Sequence, residues 1–150
     1  MPETDGFIRQ PDAPSGDVSG GGVEGYDDDG RAVSALVYHV VLVTRRRRPL
    51  FEDAALAARV EVLLGEAARG AGCTLEACEV GPWWARLSVR APAAVSPHVA
   101  VTHVRRGAAA LKGEFEAARR LGAVFTRRYL VSTSPVSEAD CAAFVEAGQR

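Results

Sequence analysis

The sequence predicts an α+β fold in which six elements follow one another as β-α-β-β-α-β, with one more helix at the C-terminus. An apolar, β-branched run opens the series, two segments have apolar residues at helical spacing, and one strand alternates between apolar and polar residues. This element order is that of the ferredoxin-like fold. It predicts a four-stranded antiparallel sheet with two helices on one face and an open face opposite.

The first predicted strand covers Val33–Thr44, where both faces are apolar, as in a central strand. Four arginines follow at Arg45–Arg48, and Pro49 ends the ladder of backbone hydrogen bonds. A helix is predicted over Glu52–Gly70, because one apolar stripe runs along it through Leu56, Val60, Leu63 and Ala67.

The second and third strands are predicted over Thr74–Val80 and Trp84–Arg90, joined by a turn at Gly81-Pro82. Ser96 then provides an N-cap, and Pro97 suits the first position of the second helix. The apolar face of that helix is predicted to carry Val101, Val104, Ala108, Leu111 and Phe115.

The last two elements are short. A fourth strand is predicted over Tyr129–Thr133. Ser137 and Asp140 have the spacing of a capping box, which predicts a last helix that continues to about Ala147.

Charge divides the chain into two parts. Residues 1–30 hold eight acids and one base, a net charge of −7, whereas the other 120 residues hold 17 bases and 11 acids, a net charge of +6. The first part is rich in Gly, Pro, Ser and Asp and lacks the apolar surface that would offset the entropy of ordering. We therefore expect a disordered acidic tail over residues 1–30 and one basic domain over residues 31–150.

The composition argues against several classes of protein. The three cysteines have no C-x-x-C spacing, which disfavours a disulfide framework or a cysteine zinc site and favours a reducing compartment. No basic start followed by an apolar run marks a signal peptide, and the longest apolar run, Ala35–Val43, is too short to span a membrane. We expect a cytoplasmic protein without a membrane partner.

The third strand is the most informative element, because side chains alternate across a sheet. Its residues on the open face are expected to be Trp84, Arg86, Ser88 and Arg90. Cations that hold phosphates and a ring that stacks on bases suit nucleic acid. The alternative is that Trp84 packs under the last helix while the arginines are solvated.

Several segments together resemble the single-tyrosine HUH transposases, an insertion-sequence-200-like family that includes relatives associated with repetitive palindromes. The segments are Tyr38–Thr44 with the arginines and Pro49-Leu50-Phe51 behind it, Val80–Leu87, Arg105–Lys112, Phe125–Thr133 and Cys141–Gln149. The fourth of these is similar to the family's Trp-x-Arg-x-Tyr-Phe-Val-x-Ser strand. The resemblance covers residues 33–149 in serial order.

The resemblance implies a homodimer that binds hairpins formed by single-stranded DNA. In active members of the family, two histidines at i and i+2 bind a divalent metal such as Mg²⁺, and a tyrosine on the last helix attacks the scissile phosphate. These positions fall on Trp84, Arg86 and Phe144, none of which can perform that chemistry. The resemblance therefore implies a transposase-like DNA-binding protein with no catalytic residues and no metal cofactor.

The basic side chains of the domain are the expected contacts to a nucleic-acid backbone. The candidate DNA-binding residues are Arg45, Arg46, Arg47, Arg48, Trp83, Arg86, Arg90, Arg105, Arg106, Lys112, Arg127 and Arg128, with Arg119 and Arg120 as further candidates. Two hypotheses remain for Arg86: it holds a phosphate in the place of the metal, or it forms an ion pair with Glu79 or another acid. Trp83 and Trp84 either stack on a base or fill the space of the metal centre.

The histidines and tyrosines are expected to have ordinary roles. His98 and His103 are five residues apart, so they do not share a helix face well, and His39 lies on the first strand. Surface roles or buried hydrogen-bonding roles are expected for all three, in preference to metal binding. Tyr38 and Tyr129 are expected to be sheet residues.

Other functions remain open from the sequence. They are an active DNA transposase with unorthodox residues, an RNA-binding module on the same open sheet, and a protein-interaction module. The acidic tail also has two interpretations. It is a solubility tail, or it competes with DNA for the basic face of its own domain.

Overall fold

The four-stranded antiparallel sheet predicted from the sequence is present in the computed structural model, which describes residues 23–147. Its strands are β3 (Leu36–Thr44), β4 (Thr74–Val80), β5 (Trp84–Ala91) and β6 (Phe125–Ser132). They lie in the order β4-β5-β3-β6, and every neighbouring pair is antiparallel. Together with the helices this is the ferredoxin-like arrangement, so the predicted fold class is confirmed.

Two helices cover one face of the sheet. α1 (Ala54–Gly70) begins after Asp53, whose carboxylate accepts the backbone N–H groups of the first turn. α2 (Pro97–Gly107) begins after Ser96, whose hydroxyl accepts from the backbone N–H of Val99 at 3.2 Å. Both caps satisfy N–H groups that a helix leaves without a partner at its start.

The core lies between these helices and the sheet. Leu42, Leu56, Leu64 and Leu87 are at most 2% exposed, and each such side chain stabilises the fold by about 1.5–3 kcal/mol relative to an exposed position. The two helices cross closely at Gly107, where an added Cβ would stand 2.6 Å from the Cβ of Ala67. A glycine is therefore required at this crossing.

The second helical segment differs from the prediction. Its apolar stripe is correct from Val101 to Leu111, but the regular α-helix ends at Gly107, and the helical backbone continues beyond it in tighter and shorter turns. A 3₁₀ turn follows, then α3 (Leu111–Glu114), then Phe115 with extended backbone (φ −129°, ψ 131°), then α4 (Glu116–Arg119). The glycines in this stretch lower helix propensity, and packing against α1 fixes the chain locally.

The last helix, α5 (Glu138–Ala147), packs on the other face of the sheet. Cys141 and Val145 are buried there against Val41 and Val43 of β3. Ser137 caps the helix, since its hydroxyl accepts the backbone N–H of Asp140 at 3.0 Å. The face expected to be open is therefore covered at one end.

Strand β6 begins four residues earlier than predicted. Phe125 is buried and lies opposite Thr44 across an irregularity in the ladder. The charged residues after Phe125 lie on an edge strand of the sheet. Charged side chains are tolerated there, and they discourage pairing of the edge with other chains. The prediction missed these residues because their polarity resembles that of a loop.

A small hairpin precedes the sheet, formed by β1 (Asp27–Asp28) and β2 (Val33–Ser34). In its turn the Asp29 carboxylate accepts the backbone N–H groups of Arg31 and Ala32, both at 2.9 Å, and these bonds lower the pKa of Asp29. The disordered tail was predicted over residues 1–30. Residues 1–22 of it lie outside the described part of the chain.

Candidate nucleic-acid interface

Strand β5 presents alternate residues to the two faces of the sheet, as its pattern predicts. Ala85, Leu87 and Val89 are buried beneath α1 and α2. The residues between them are partly exposed on the other face, where α5 lies at the end that holds Trp84. The candidate residues of β5, Trp84, Arg86 and Arg90, therefore lie on that second face.

A groove of about 410 Å³ runs between the β4–β5 hairpin and α5. We call it the tryptophan groove; it is lined by Glu79, Pro82, Trp83, Trp84, Arg86, Glu138, Cys141, Ala142, Val145 and Glu146. The Trp84 ring packs against the Val41, Val43, Cys141 and Val145 cluster. Of the two expectations for Trp84, the geometry corresponds to packing under the last helix.

Arg86 pairs with Glu79, its direct neighbour across the β4–β5 ladder. A second contact runs from Arg86 Nη1 to the carbonyl of Val136 at 3.4 Å. Glu138 and Glu146 add two more carboxylates, so the groove is lined by three carboxylates and one guanidinium group. This charge disfavours a phosphate at Arg86.

The groups in the tryptophan groove do not fit a divalent metal. Trp84 and Arg86 have no lone pair to offer, and the Glu79 carboxylate is engaged by Arg86. Burial raises the pKa of the Cys141 thiol, which keeps it protonated and unsuited to metal binding. Among residues 23–147 no group of three or more His, Cys, Asp or Glu is placed to hold a metal ion.

Phe144 lies on the other flank of α5. It lines a second groove, of about 540 Å³, beside Arg128, Leu130 and Val136. The Arg128 guanidinium carbon stands 5.4 Å from the centroid of the Phe144 ring, a cation–π contact. Trp84, Arg86 and Phe144 therefore share one face of the sheet but do not meet in one groove.

The arginine run after β3 forms a tight turn instead of a row of parallel side chains. Thr44 anchors it, because its buried hydroxyl donates to the carbonyl of Arg48 at 2.8 Å. Arg46 and Arg47 have φ values of 58° and 55°, a left-handed backbone that is unfavourable for residues with a Cβ. The turn therefore sends its side chains in different directions.

Arg47 points toward α5. Its guanidinium carbon lies 5.1 Å from the centroid of the Trp83 ring, and it donates to the carbonyl of Glu146 near the end of the helix. Trp83 thus has a cation on its face, and Arg47 helps to hold α5 on the sheet. Arg47 and Trp83 therefore already contact groups of their own chain.

The other three arginines of the turn open onto a separate cleft of about 440 Å³, the basic cleft. It is lined by Arg45, Arg46, Arg48, Glu116, Ala117, Arg120, Leu121 and Gly122. Glu116 is paired with Arg119. Within residues 23–147, none of the four arginines that line the cleft has an ion pair or a side-chain hydrogen bond, so their guanidinium donors are available to a ligand.

The remaining candidate cations fall into two groups. Arg90 is held by Asp27, Arg105 by the carbonyls of Thr126 and Arg127, and Lys112 by the carbonyl of Gly122. Arg106 and Arg127 are exposed and have no side-chain partner in the described part of the chain. The structure thus separates engaged cations from available ones, which the sequence alone could not do.

The histidines and tyrosines make the hydrogen bonds of ordinary structural residues. His39 lies 3.1 Å from the hydroxyl of Ser88, and His98 lies 2.8 Å from the hydroxyl of Tyr129. Tyr38 donates to the carbonyl of Val95 at 2.8 Å. His103 is exposed on α2.

Gly81, which the sequence analysis treated only as part of a turn, determines how the Trp84 ring packs. An added Cβ at Gly81 would stand 2.1 Å from the Trp84 ring, so this position requires glycine. The Gly-Pro dipeptide predicted the turn, but no sequence signal predicted that an indole lies against it.

Replacing Gly81 by alanine is expected to displace the Trp84 ring and destabilise the fold by about 1–3 kcal/mol, the usual cost of overpacking. Thermal unfolding and tryptophan fluorescence measure the two effects. Gly113→Ala is the matched control, because an added Cβ there would meet nothing within 4 Å. Equal melting temperatures for the two variants, with unchanged fluorescence, would contradict the packing described above.

Comparison with known proteins gives two kinds of match. A family model described as "Transposase IS200 like" matches residues 32–146. A solved structure of a candidate transposase from Deinococcus radiodurans R1 is 23% identical with a TM-score of 0.68, over 79% of this chain and 92% of that one. No curated protein sequence matches significantly.

A second solved structure is that of a REP-associated tyrosine transposase bound to a REP hairpin. It is 12% identical with a TM-score of 0.51, and the match covers 73% of this chain and 62% of that one. At these identities the two structures show a shared fold. Among the helices of the described part, none is long and apolar enough to cross a membrane.

Proposed function

The chain belongs to the family of IS200-like transposases, whose model covers residues 32–146 of its 150, and from this premise we propose that it binds hairpins of single-stranded DNA without cutting them. The observation that carries the proposal is the basic cleft, which is lined by four exposed arginines that have no ion pair or side-chain hydrogen bond within the described residues. Guanidinium groups hold phosphates with two parallel hydrogen bonds. The REP-associated relative is bound to a hairpin, which supports the same ligand class here.

The position of the basic cleft supports contact with a nucleic-acid backbone. The cleft lies between the turn that ends β3 and the segment that leads into β6. Its arginines are exposed, so binding requires no rearrangement of the core. Arg106 on α2 and Arg127 on β6 are two further exposed cations outside the cleft.

The proposal that the protein does not cut DNA rests on the chemistry of three side chains. Trp84 and Arg86 offer no metal ligand, and Phe144 has no nucleophilic oxygen. Glu79 neutralises the Arg86 guanidinium, so the groove also lacks a free cation for a developing phosphate charge. A homodimer and a cytoplasmic location, expected from the resemblance and the cysteine pattern, are part of the same proposal.

Fluorescence anisotropy of the full chain with a labelled DNA hairpin, an unpaired strand and a duplex, across a salt series, tests the proposal. We expect the hairpin to bind most tightly, with a slope of log Kd against log salt of about 3 from four phosphate contacts. Incubation of the same hairpin with Mg²⁺ or Mn²⁺ is expected to give no cleaved product. Light scattering of the free protein measures its molar mass and thereby tests whether it is a dimer.

Three outcomes would overturn the proposal. Binding that ignores the shape of the DNA and is lost at physiological salt would leave the protein without a specific DNA ligand. A cleaved, metal-dependent product would show that other residues perform the chemistry. Tighter binding to the matched RNA hairpin would assign the interface to RNA.

A further inference from the structure

The hairpin β1–β2 brings negative charge onto the sheet face that carries Arg90. Residues 23–34 hold four acids, Glu24, Asp27, Asp28 and Asp29, and one base. Asp27 reaches Arg90 at the far end of β5 from Trp84. We call residues 23–34 the acidic hairpin.

The acidic hairpin contacts Arg90 in the way a phosphate would. Arg90 Nε donates to Oδ2 of Asp27 at 3.0 Å, and Nη2 donates to the carbonyl of Gly25 at 2.6 Å. These two donors form the edge of the guanidinium that binds two phosphate oxygens side by side. The third nitrogen, Nη1, lies 3.9 Å from a carboxylate oxygen of Glu76.

The contact is also one that can be released. Among the described residues, the ion pair and side-chain hydrogen bonds that join the acidic hairpin to the sheet all use Arg90. The Arg90 side chain is 25% exposed and that of Asp27 41%. Ion pairs this exposed contribute little and are screened by salt.

We propose that the acidic hairpin is an autoinhibitory element that occupies the phosphate-binding edge of Arg90 and must leave it before nucleic acid binds there. The inference rests on the proposed function and adds regulation to it. It also extends the interface from the basic cleft to the Arg90 end of the sheet. The affinity for DNA is then set by competition between the Asp27 carboxylate and a phosphate for one guanidinium.

A double-mutant cycle in the full chain tests the competition, with the labelled DNA hairpin as the probe. Asp27→Asn is expected to tighten binding about threefold at low salt, the scale of a surface ion pair, and the gain is expected to shrink as salt rises. Glu24→Gln is the matched control, because it removes the same charge from an exposed residue outside the Arg90 contact. In the Arg90→Gln background, Asp27→Asn is expected to have no effect.

The outcomes separate competition from a general charge effect. An equal gain from Asp27→Asn and Glu24→Gln, or a gain that persists without Arg90, would overturn the inference while the proposed function stands. If none of the five proteins binds nucleic acid, the proposed function fails and the inference fails with it. Circular dichroism of each variant confirms that all five are folded.

Discussion

Replacing Arg46 and Arg120 together with glutamine is expected to weaken binding of the DNA hairpin by about 10- to 30-fold near physiological salt. Both residues line the basic cleft from different segments of the chain, and both are exposed. Each phosphate contact that is lost returns its condensed counterions to the DNA. The slope of log Kd against log salt is therefore expected to fall by about 1.5.

The matched control for this variant is Arg59→Gln together with Arg69→Gln. It removes the same net charge from two positions on α1 that lie outside both the cleft and the acidic hairpin. We expect it to change affinity by less than about threefold, because charges beyond a Debye length are largely screened. If both double variants lose the same affinity, the protein attracts DNA only through its overall charge and the basic cleft has no special role.

The fold could be predicted because each element carries a local signal. The alternation in β5 predicted which residues face α1 and α2, and Ala85, Leu87 and Val89 are indeed buried. The caps at Ser96 and Ser137 are present as predicted. The extended backbone at Phe115 was missed, because the apolar stripe of the helix continues in the sequence through that residue.

The candidate interface was harder to predict, because the directions of charged side chains depend on backbone conformation and on distant partners. Four consecutive arginines look equivalent in the sequence. The left-handed backbone at Arg46 and Arg47 sends Arg47 to Trp83 and leaves its neighbours at the basic cleft. Likewise, nothing in the local sequence of Arg90 indicates that Asp27, 63 residues away, holds it.

The variant Trp84→His/Arg86→His is expected to gain a divalent metal site in the tryptophan groove. The two positions lie two residues apart on one face of β5, and Arg86 is the ladder partner of Glu79. Without the guanidinium, the Glu79 carboxylate becomes available as a third ligand beside two imidazoles. Two imidazoles and one carboxylate leave coordination positions open, as in other metal sites with that ligand set.

Cobalt(II) is the probe, because its visible absorption reports coordination by imidazole. We expect the double variant to bind it at least about tenfold more tightly than either single variant, since a second ligand adds at least about 1.4 kcal/mol. Adding Glu79→Gln is expected to reverse part of the gain. Loss of the Trp84 packing lowers stability, so a rise in the melting temperature with cobalt provides a second measurement.

If the double variant binds no more tightly than the single variants, the two side chains do not converge and the register of β5 in the tryptophan groove is wrong. If it binds metal, DNA cleavage is still not expected. Phe144 has no hydroxyl, and it lies in the groove on the other flank of α5. Within one chain, a tyrosine at position 144 would also face Arg128 and Leu130 instead of the new metal. Metal binding and strand cleavage are therefore separable here, and restoring the first alone is expected to leave a protein that binds DNA and metal without cutting.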